Sequence, residues 1–207
     1  MVKRADVVIL EGTRAEFCLT AEERQALLER FGRTGEGFAV RQLRPRDCPS
    51  WRALMLATFS SDPTAFLSTL SEREPLPLSW WEDRLTGRDG EASLVMGVWH
   101  EDTLVGVVGA LPGNRERTRH KATVFGMAVD AAFRNLGVGR LLMTRLLSEL
   151  HQTTSVRAVS LTVTEGNEAA TRLYRSLGFT PYGVEPMAMC IGREDVAKVH
   201  LWKRLPE

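Results

Sequence analysis

The sequence predicts a mixed α/β fold, in which a mostly antiparallel sheet of six to seven strands is flanked by helices. Several segments alternate apolar and polar residues with a period of two, and short polar interruptions join neighbouring segments into hairpins. One strand–helix–strand unit spans residues 123–163, and such a unit implies a parallel crossover within the sheet. A parallel pair among antiparallel hairpins excludes both a doubly wound sheet and a barrel.

The composition is that of an ordinary globular protein. A length of 207 residues predicts one domain, with room for an appendage. Apolar residues make up 43% of the chain and charged residues 26%, which excludes wholesale disorder. Because 27 Lys and Arg nearly balance 26 Asp and Glu, the net charge of +1 argues against nucleic acid as the main partner.

The cysteines and apolar runs favour a reducing compartment. Cys18, Cys48 and Cys190 are odd in number and far apart, so they fit neither a disulfide framework nor a zinc site. The histidines share no metal-ligand spacing, and we expect no bound metal. No apolar run approaches the roughly 20 residues that span a bilayer, and Asp6 interrupts the short apolar stretch near the N-terminus. We therefore expect a soluble cytoplasmic protein with no membrane partner.

Residues 1–36 form a separate N-terminal extension in this prediction. Residues 7–10 read as a short strand, and Thr20 with Glu23 has the spacing of a capping box that opens a helix over 21–31. Three glycines between positions 32 and 37 then indicate a linker. The main domain is expected to cover 37–207.

The first elements of the main domain are a strand and two helices. Residues 38–43 alternate in the manner of a half-buried strand, and Asp47 is placed to cap a helix that runs through 51–59. Prolines interrupt 60–77, which we expect to be a loop with a turn or two of helix. Residues 78–85 form a short amphipathic helix.

Strands dominate the middle of the chain. Residues 92–100 and 103–112 are rich in β-branched side chains and are joined as a hairpin by the polar pair at 101–102. A basic loop at 114–121 leads to a further strand over 123–129.

Helix and strand alternate in the last third. Apolar side chains at spacings of three and four place one helical face over 138–151, and the strand 156–163 follows. Asn167 opens a helix that runs through Leu177, where Gly178 provides a left-handed stop. The tail supplies two last strands, at about 187–191 and 196–204.

The glycine-rich turn from Arg134 to Arg140 predicts an anion site. Glycines at a helix start expose unpaired backbone N–H groups, and the aligned peptide dipoles favour negative charge there. The two arginines add full charges, so we expect a phosphate or pyrophosphate; the alternative is a helix that merely begins with glycine. A P-loop is excluded because no Lys and Ser or Thr pair follows, and a dinucleotide fingerprint because leucine occupies position 142.

Two motifs at a fixed separation resemble one known family. R-N-L-G-V-G at 134–139 is similar to the [QR]-x-x-G-x-[GA] motif of the GNAT superfamily of acyl-coenzyme A-dependent N-acyltransferases. N-E-A-A-T-R-L-Y-R-S-L-G-F at 167–179 is similar to the second hallmark of that family, N-x-x-A-x-x-x-Y-x-x-x-G-F. Motifs, spacing and strand order agree over roughly 37–204, whereas 1–36 lie outside the resemblance.

The resemblance implies that the strands 123–129 and 156–163 splay apart and hold acetyl-coenzyme A (acetyl-CoA) as a cosubstrate between them. Backbone groups of Met127 and Val129 would pair with the pantetheine arm, and an N–H near Met127 or Ala128 would face the thioester oxygen. The residues that would hold the pyrophosphate are Arg134, Asn135, Leu136, Gly137, Val138, Gly139 and Arg140.

Two side chains of the second motif each allow two interpretations. Asn167 is a helix N-cap, and in the family the matching asparagine often reaches the pantetheine. Tyr174 shares an apolar helical face, so it is either a core tyrosine or, as the resemblance implies, the acid that protonates the departing thiolate.

The general base stays unassigned. Some family members place a glutamate at the start of the strand before the glycine turn, but this position holds Thr123, which cannot accept the proton. The remaining candidates are Glu165, His120 and a chain of water molecules to bulk solvent. A base is needed because an alkylamine is neutral about one part in a thousand at pH 7.

The acceptor wall is expected within residues 47–86, again by resemblance. This stretch mixes aromatic residues with carboxylates and so suits a cationic amine; the alternative is a set of core tryptophans on a short amphipathic helix with a solvated acidic face. The aromatic residues are Trp51, Phe59, Phe66, Trp80 and Trp81, and the carboxylates are Asp62, Glu72, Glu74, Glu82 and Asp83. The basic cluster at 115–121 is either a solvated hairpin tip or a nucleic-acid contact.

These observations predict an N-acetyltransferase that moves an acetyl group from acetyl-CoA to a small-molecule or peptide amine. Direct attack in a ternary complex is expected because no Cys or Ser stands in a nucleophile context. The alternatives are a non-catalytic acyl-CoA-binding regulatory module and an assembly or nucleic-acid-interaction protein. A homodimer is expected only by analogy with relatives.

Overall fold

The computed structural model describes residues 37–87, 92–153 and 155–206. The expected strand at 7–10, the expected helix at 21–31 and the linker glycines before Gly37 lie outside the described residues. The boundary between extension and main domain therefore stays a prediction.

A single seven-stranded sheet organises the described chain, in the order β1-β2-β3-β4-β5-β7-β6. Every neighbouring pair is antiparallel except β4 and β5, which are parallel. This confirms the predicted mixed, mostly antiparallel fold. The strands are β1 (Phe38–Gln42), β2 (Leu94–His100), β3 (Thr103–Pro112), β4 (Lys121–Val129), β5 (Ala158–Thr164), β6 (Thr180–Ile191) and β7 (Glu194–Arg204).

Helices flank the sheet, as the sequence predicts. The α-helices are α1 (Cys48–Ser61), α2 (Leu70–Arg73), α3 (Leu78–Thr86), α4 (Val138–Thr153) and α5 (Glu168–Ser176), with short 3-10 turns at Pro45–Asp47, Pro63–Ala65 and Ala131–Phe133. The predicted loop at 60–77 contains α2, which a capping box between Thr69 and Glu72 opens.

The sequence misplaces the start of β6. This strand begins at Thr180 rather than near 187, because prolines and a glycine within 181–186 conceal the strand pattern. Proline is tolerated here because β6 is an edge strand. On its open side no neighbouring strand needs the N–H group that proline lacks. Register shifts between Pro181 and Gly183 and between Glu185 and Met189 accompany the irregular sequence.

Two hydrophobic clusters cover the two faces of the sheet. Leu142, Met143 and Leu146 of α4 are fully buried in the first cluster, which also holds Val108 of β3. Val107 belongs to the second cluster, with α1 and α3. Consecutive β3 residues thus serve opposite faces, as the pleat of a strand requires.

The parallel pair is short and sets the shape of the site. β4 and β5 pair at Lys121 with Ala158, at Ala122 with Val159 and at Thr123 with Ser160. β4 continues to Val129 and β5 to Thr164 without further pairing between them. A gap therefore opens in the middle of the sheet, toward the carboxyl ends of both strands.

An ion pair fixes the entry to α1. Both guanidinium nitrogens of Arg41 donate to the Asp47 carboxylate, at 2.6 and 2.9 Å, and the Arg44 N–H donates to Asp47 Oδ2 at 2.8 Å. Burial alone would raise the pKa of Asp47, but the bonds from Arg41 and Arg44 outweigh it and hold this pKa below its ordinary value. The carboxylate thus stabilises the preceding turn and makes no capping bond to α1, contrary to the sequence-based expectation.

Replacing Asp47 with asparagine should lower the free energy of unfolding by about 1–3 kcal/mol, the usual loss for a buried charge-assisted hydrogen bond. Because the folded pKa of Asp47 is depressed, its contribution is present above the unfolded pKa near 4 and is lost as the pH falls through the folded value. Urea unfolding at pH 7 and pH 3 measures this, with Asp195→Asn on the exposed β6–β7 hairpin as control. An equal pH dependence in wild type and Asp47→Asn would contradict the assignment.

Candidate active site

A cavity of about 440 Å³ lies where β4 and β5 separate. β4 lines it from Thr123 to Met127, and β5 from Leu161 to Thr164. Residues of α1, α2, α3, α5 and β7, together with residues 65–68, supply most of the remaining wall. The cavity therefore joins the gap in the sheet to the helical layer in which the family resemblance implies acceptor binding.

A β-bulge shapes β4 beside this cavity. Val107 pairs with Ala128 and Gly109 with Phe125, so two residues of β4, Gly126 and Met127, stand opposite one residue of β3. Gly126 has a φ of 60°, which favours glycine, and a Cβ atom at this position would meet nothing within 4 Å. Since a bulge leaves its extra residue outside the ladder, backbone polar groups are available at the cavity. The glycine inside the strand pattern was the available sequence signal.

The glycine-rich turn has the backbone conformation that an anion cradle needs. Asn135 and Gly137 adopt left-handed conformations, with φ values of 65° and 84°. Leu136 and Val138 are buried and hold the turn against the core. The Leu141 N–H donates to the Gly137 carbonyl at 3.0 Å, and the first turn of a helix leaves its own N–H groups without intrahelical acceptors.

The two arginines of the turn have different environments. Arg134 forms a bidentate pair with Asp62, with N···O distances of 2.6 and 3.2 Å, and its Nε donates to the Val129 carbonyl at 3.2 Å. The hydrogen bond from Arg134 lowers the pKa of Asp62. Arg140 is exposed and donates to Ser176 Oγ at 2.8 Å. Arg134 thus ties the turn to the end of α1 as well as adding charge.

The structure brings only part of the predicted coenzyme site to the cavity. Met127 lines it, whereas Ala128 is buried in the second cluster and does not. Val129 ends β4, and the turn residues 134–140 lie outside the cavity lining. A ligand that uses both the cavity and the turn must therefore extend past the open end of β4.

Asn167 occupies both positions that its two interpretations require. Its Oδ1 accepts the Ala170 N–H at 3.1 Å and so caps α5. The same residue lines the cavity. Since a capping asparagine keeps its side-chain NH₂ as a donor, capping and ligand binding are compatible.

Tyr174 lies at the cavity with its ring in the core. It is 6% exposed, and its ring packs edge-on against Phe179 at a centroid distance of 5.9 Å. Within the described part of the chain the hydroxyl makes no hydrogen bond, while the residue lines the cavity. Burial raises the pKa of Tyr174 to about 12, so the phenol stays protonated at neutral pH.

Neither side chain considered as the general base lines the cavity. The His120 carbonyl accepts the Arg157 N–H, at the paired ends of β4 and β5 away from the gap. Glu165 is exposed beyond the end of β5. Thr123 does line the cavity, so the position that is a glutamate in some members of the resembling family here presents a hydroxyl.

The cavity is lined by the aromatic residues of the predicted acceptor wall but not by its carboxylates. All five predicted aromatic residues line the cavity, with Trp51 and Trp80 each packed edge-on against Trp81. None of the five predicted carboxylates does; Asp62 pairs with Arg134, and Glu72 caps α2. The charged residues that line the cavity are Arg73, Arg84 and Lys198.

Sequence reasoning missed Lys198. It is 4% exposed within β7, where a lysine in an alternating strand ordinarily indicates a solvated face. Burial lowers the pKa of Lys198, although the nearby Glu185 carboxylate raises it. The signal for burial is tertiary, since β6 and β5 flank this position.

Within the described ranges, no helix is long and apolar enough to cross a membrane. The same residues contain no group of three or more His, Cys, Asp or Glu side chains that could hold a metal ion.

Comparison with known proteins gives consistent similarities. Residues 51–179 match the model of the Acetyltransferase (GNAT) family. The chain is 35% identical over 100 residues to the [Ribosomal protein bS18]-alanine N-acetyltransferase of Salmonella typhimurium, covering 48% of this chain and 64% of that protein. It is 28% identical over 140 residues to the L-amino acid N-acetyltransferase AaaT of Escherichia coli, covering 68% and 81%.

The fold has close structural neighbours as well. A structure of yncA from Salmonella typhimurium with its cofactor acetyl-CoA superimposes with a TM-score of 0.67 and 19% identity, covering 82% of this chain and 95% of that one. The chain thus spans less than two thirds of the bS18-alanine relative but nearly the whole of this structural neighbour.

Proposed function

The chain belongs to the Acetyltransferase (GNAT) family of enzymes, and we propose that it transfers an acetyl group from acetyl-CoA to a primary amine by direct attack in a ternary complex. The observation that carries this proposal is the gap between β4 and β5, which adjoins an aromatic cavity on one side and leads toward the glycine-rich turn.

The proposed coenzyme site uses backbone groups of β4 and the turn. Because β4 and β5 stop pairing after Thr123, backbone groups of Met127 and Val129 are placed to receive the pantetheine arm as an added strand. The left-handed Asn135 and Gly137 support a pyrophosphate cradle in the amides from Asn135 to Arg140. In this site Arg134 mainly holds the turn, since Asp62 already binds its guanidinium group.

Gly139 also has a packing role. A Cβ atom there would approach Leu173 of α5 to 3.1 Å and the Met127 side chain to 3.2 Å. Glycine at this position therefore allows α4, α5 and β4 to pack closely. This close packing supports a position of the turn next to the cavity.

The bulge supports an oxyanion site at Met127. Met127 is one of the two bulge residues that face a single residue of β3, and it lines the cavity. Ala128, in contrast, pairs with Val107 in the ladder. Of the two amides considered from the sequence, that of Met127 is the better placed to donate to the thioester oxygen. A fixed donor of this kind is typically worth about 3–4 kcal/mol in the transition state.

We assign Tyr174 as the proton donor. As the amine nitrogen forms its bond to the acyl carbon, the bond from that carbon to sulfur breaks and the sulfur takes the phenolic proton. The ammonium proton goes to water, and the phenolate is reprotonated from solvent. A phenol pKa of about 12 against a thiol near 8.5 makes complete transfer uphill by about 5 kcal/mol. Desolvation in the same cavity raises the pKa of the leaving thiol and so narrows the difference between the pKa values of thiol and phenol.

Water is the base that the cavity favours among the three candidates. Glu165 and His120 do not line it, and the described lining residues include no carboxylate. The side-chain oxygens of Thr123 and Thr164 offer polar groups along which water can be ordered.

Replacing Tyr174 with phenylalanine should lower kcat about 100-fold, because the acid is removed while the ring still packs on Phe179. The affinity for acetyl-CoA should stay within about twofold of wild type, since binding does not use the hydroxyl. Steady-state release of the free thiol and calorimetric titration measure the two effects. The sequence has one other tyrosine, the exposed Tyr182, and Tyr182→Phe is the matched control. Unchanged turnover in Tyr174→Phe would refute the acid role.

Replacing Gly137 with aspartate should weaken binding of coenzyme A at least about 100-fold, because a side chain and a negative charge enter the proposed pyrophosphate cradle. Gly192→Asp is the control: it places the same residue at a left-handed glycine, with a φ of 66°, in the distant β6–β7 turn. Because both variants place aspartate at a left-handed glycine, comparing them by calorimetry isolates the local effect. Equal affinities in the two variants would place the phosphates elsewhere.

Transfer itself is tested by screening primary amines with acetyl-CoA and weighing the products by mass spectrometry. The proposal predicts a product heavier by one acetyl group, with one thiol released for each acetylated amine. Tight binding of acetyl-CoA without turnover on any amine would favour the non-catalytic regulatory module.

A further inference from the structure

We propose that the acceptor is an amino acid whose free carboxylate is bound by Lys198, with an apolar or aromatic side chain in the tryptophan-lined part of the cavity. This inference rests on the proposed acetyl transfer and names its substrate class. It follows from the charge of the cavity wall, the burial of Lys198 and the position of the predicted phosphate site.

The cavity wall carries positive charge only, within the described chain. Arg73, Arg84 and Lys198 line it, and no Asp or Glu does. None of the described lining residues offers a carboxylate to a cationic partner, whereas an anionic group would be attracted by the charged side chains of the wall. The amine of the acceptor must itself become neutral before it reacts, so its anionic group is what the wall recognises.

Lys198 is the best-placed carboxylate ligand. It lies opposite Thr164 of β5, at the end of the gap, and is 4% exposed. Glu185 is its cross-strand neighbour on β6, but the Glu185 carboxylate lies 3.0 Å from His200 Nε2. Lys198 itself has no ion pair with any described residue. The Glu185 charge acts on Lys198 from the neighbouring strand without forming an ion pair with it. A largely buried ammonium group gains from a direct partner, and a ligand carboxylate in the cavity would provide one.

Arg73 and Arg84 extend the positive wall across the helical layer. Their guanidinium groups lie over the ring of Trp80, at 4.6 and 4.7 Å from its centroid, and Arg73 is also held by Ser68 Oγ at 2.7 Å. These contacts keep both charges in place, while the largely buried Trp51 and Phe59 contribute to the apolar part of the cavity wall. A small acid with a bulky apolar side chain matches both features.

The negative charge belongs to the acceptor rather than to the phosphates of coenzyme A. The predicted pyrophosphate cradle at 135–140 contributes no residue to the cavity lining. The other source of a carboxylate is a dicarboxylic acyl group on the thioester, such as succinyl. The experiment therefore compares donors as well as acceptors.

The test compares phenylalanine and leucine with their carboxamides, which keep the amine and side chain and lack the negative charge. We expect kcat/KM with acetyl-CoA to be at least about 10-fold higher for the free acids, the usual gain from one charge-assisted contact. Lys198→Met should abolish that preference, and Lys198→Arg should restore part of it. Lys121→Met, at the exposed paired end of β4, should leave it unchanged.

Binding is measured separately, so that failure of transfer and failure of recognition are distinguished. Calorimetry with N-acetyl-phenylalanine and its carboxamide, on enzyme saturated with coenzyme A, should show the acid binding at least about 10-fold more tightly. If the acid binds selectively but no amine is acetylated, the recognition stands and the proposed transfer is wrong.

Three results would overturn the inference. Carboxamides that bind and react as well as acids would show that the wall does not read a carboxylate. Equal loss of activity on acids and amides in Lys198→Met would identify a general base instead. Higher kcat/KM with succinyl-CoA than with acetyl-CoA, lost in Lys198→Met, would assign the charge to the acyl group. Thermal unfolding of Lys198→Met and Lys198→Arg, compared with wild type, checks that both variants are folded when the activities are compared.

Discussion

The short pairing between β4 and β5 is the constraint on which the rest of the site depends. Three pairs of residues hold the strands together. Beyond Thr123 and Ser160, the backbone groups along the facing edges of the two strands do not pair with each other. Such groups are expensive to bury without partners, so a break of this kind in the middle of a sheet is a place for a ligand that can hydrogen-bond as a strand does. The flanking ladders, β3 with β4 and β5 with β7, keep both strands in place while the gap stays open.

Charge is distributed around this gap so that different parts attract different groups. The glycine-rich turn offers backbone N–H groups at the start of α4, and Asp62 engages Arg134 so that this guanidinium group fixes the turn. Lys198 and the two arginines beside Trp80 place positive charge on the cavity wall. Tyr174 also lines the cavity, protonated and largely buried. Under the proposed function, the turn binds the anionic carrier, the cavity wall binds the anionic acceptor, and both reach the Tyr174 hydroxyl.

The sequence predicted those features that depend on local pattern. Period-two alternation predicted where the strands lie along the chain. The spacing of the apolar residues on α4 predicted the helical crossover that makes one pair of strands parallel. The two motifs located the turn at 134–140 and the tyrosine of α5. Asn167 illustrates a local rule that holds, since its Oδ1 caps the helix as its position suggests.

Features that depend on tertiary contacts escaped prediction. Asp62 was expected near the acceptor, but it pairs with a residue 72 positions away in sequence. Lys198 lies in a strand whose alternation suggests solvent, and only the packing of β5 and β6 beside β7 buries it. The early start of β6 was concealed by prolines that only an edge position tolerates.

A crystal structure with bound acetyl-CoA tests the central claim most directly. It should show the pantetheine between β4 and β5, within hydrogen-bonding distance of the Met127 backbone, and the pyrophosphate on the amides at 135–140. A carrier seated instead in the second cavity beside Tyr182 and Trp202, or β4 and β5 paired along their whole length, would contradict it.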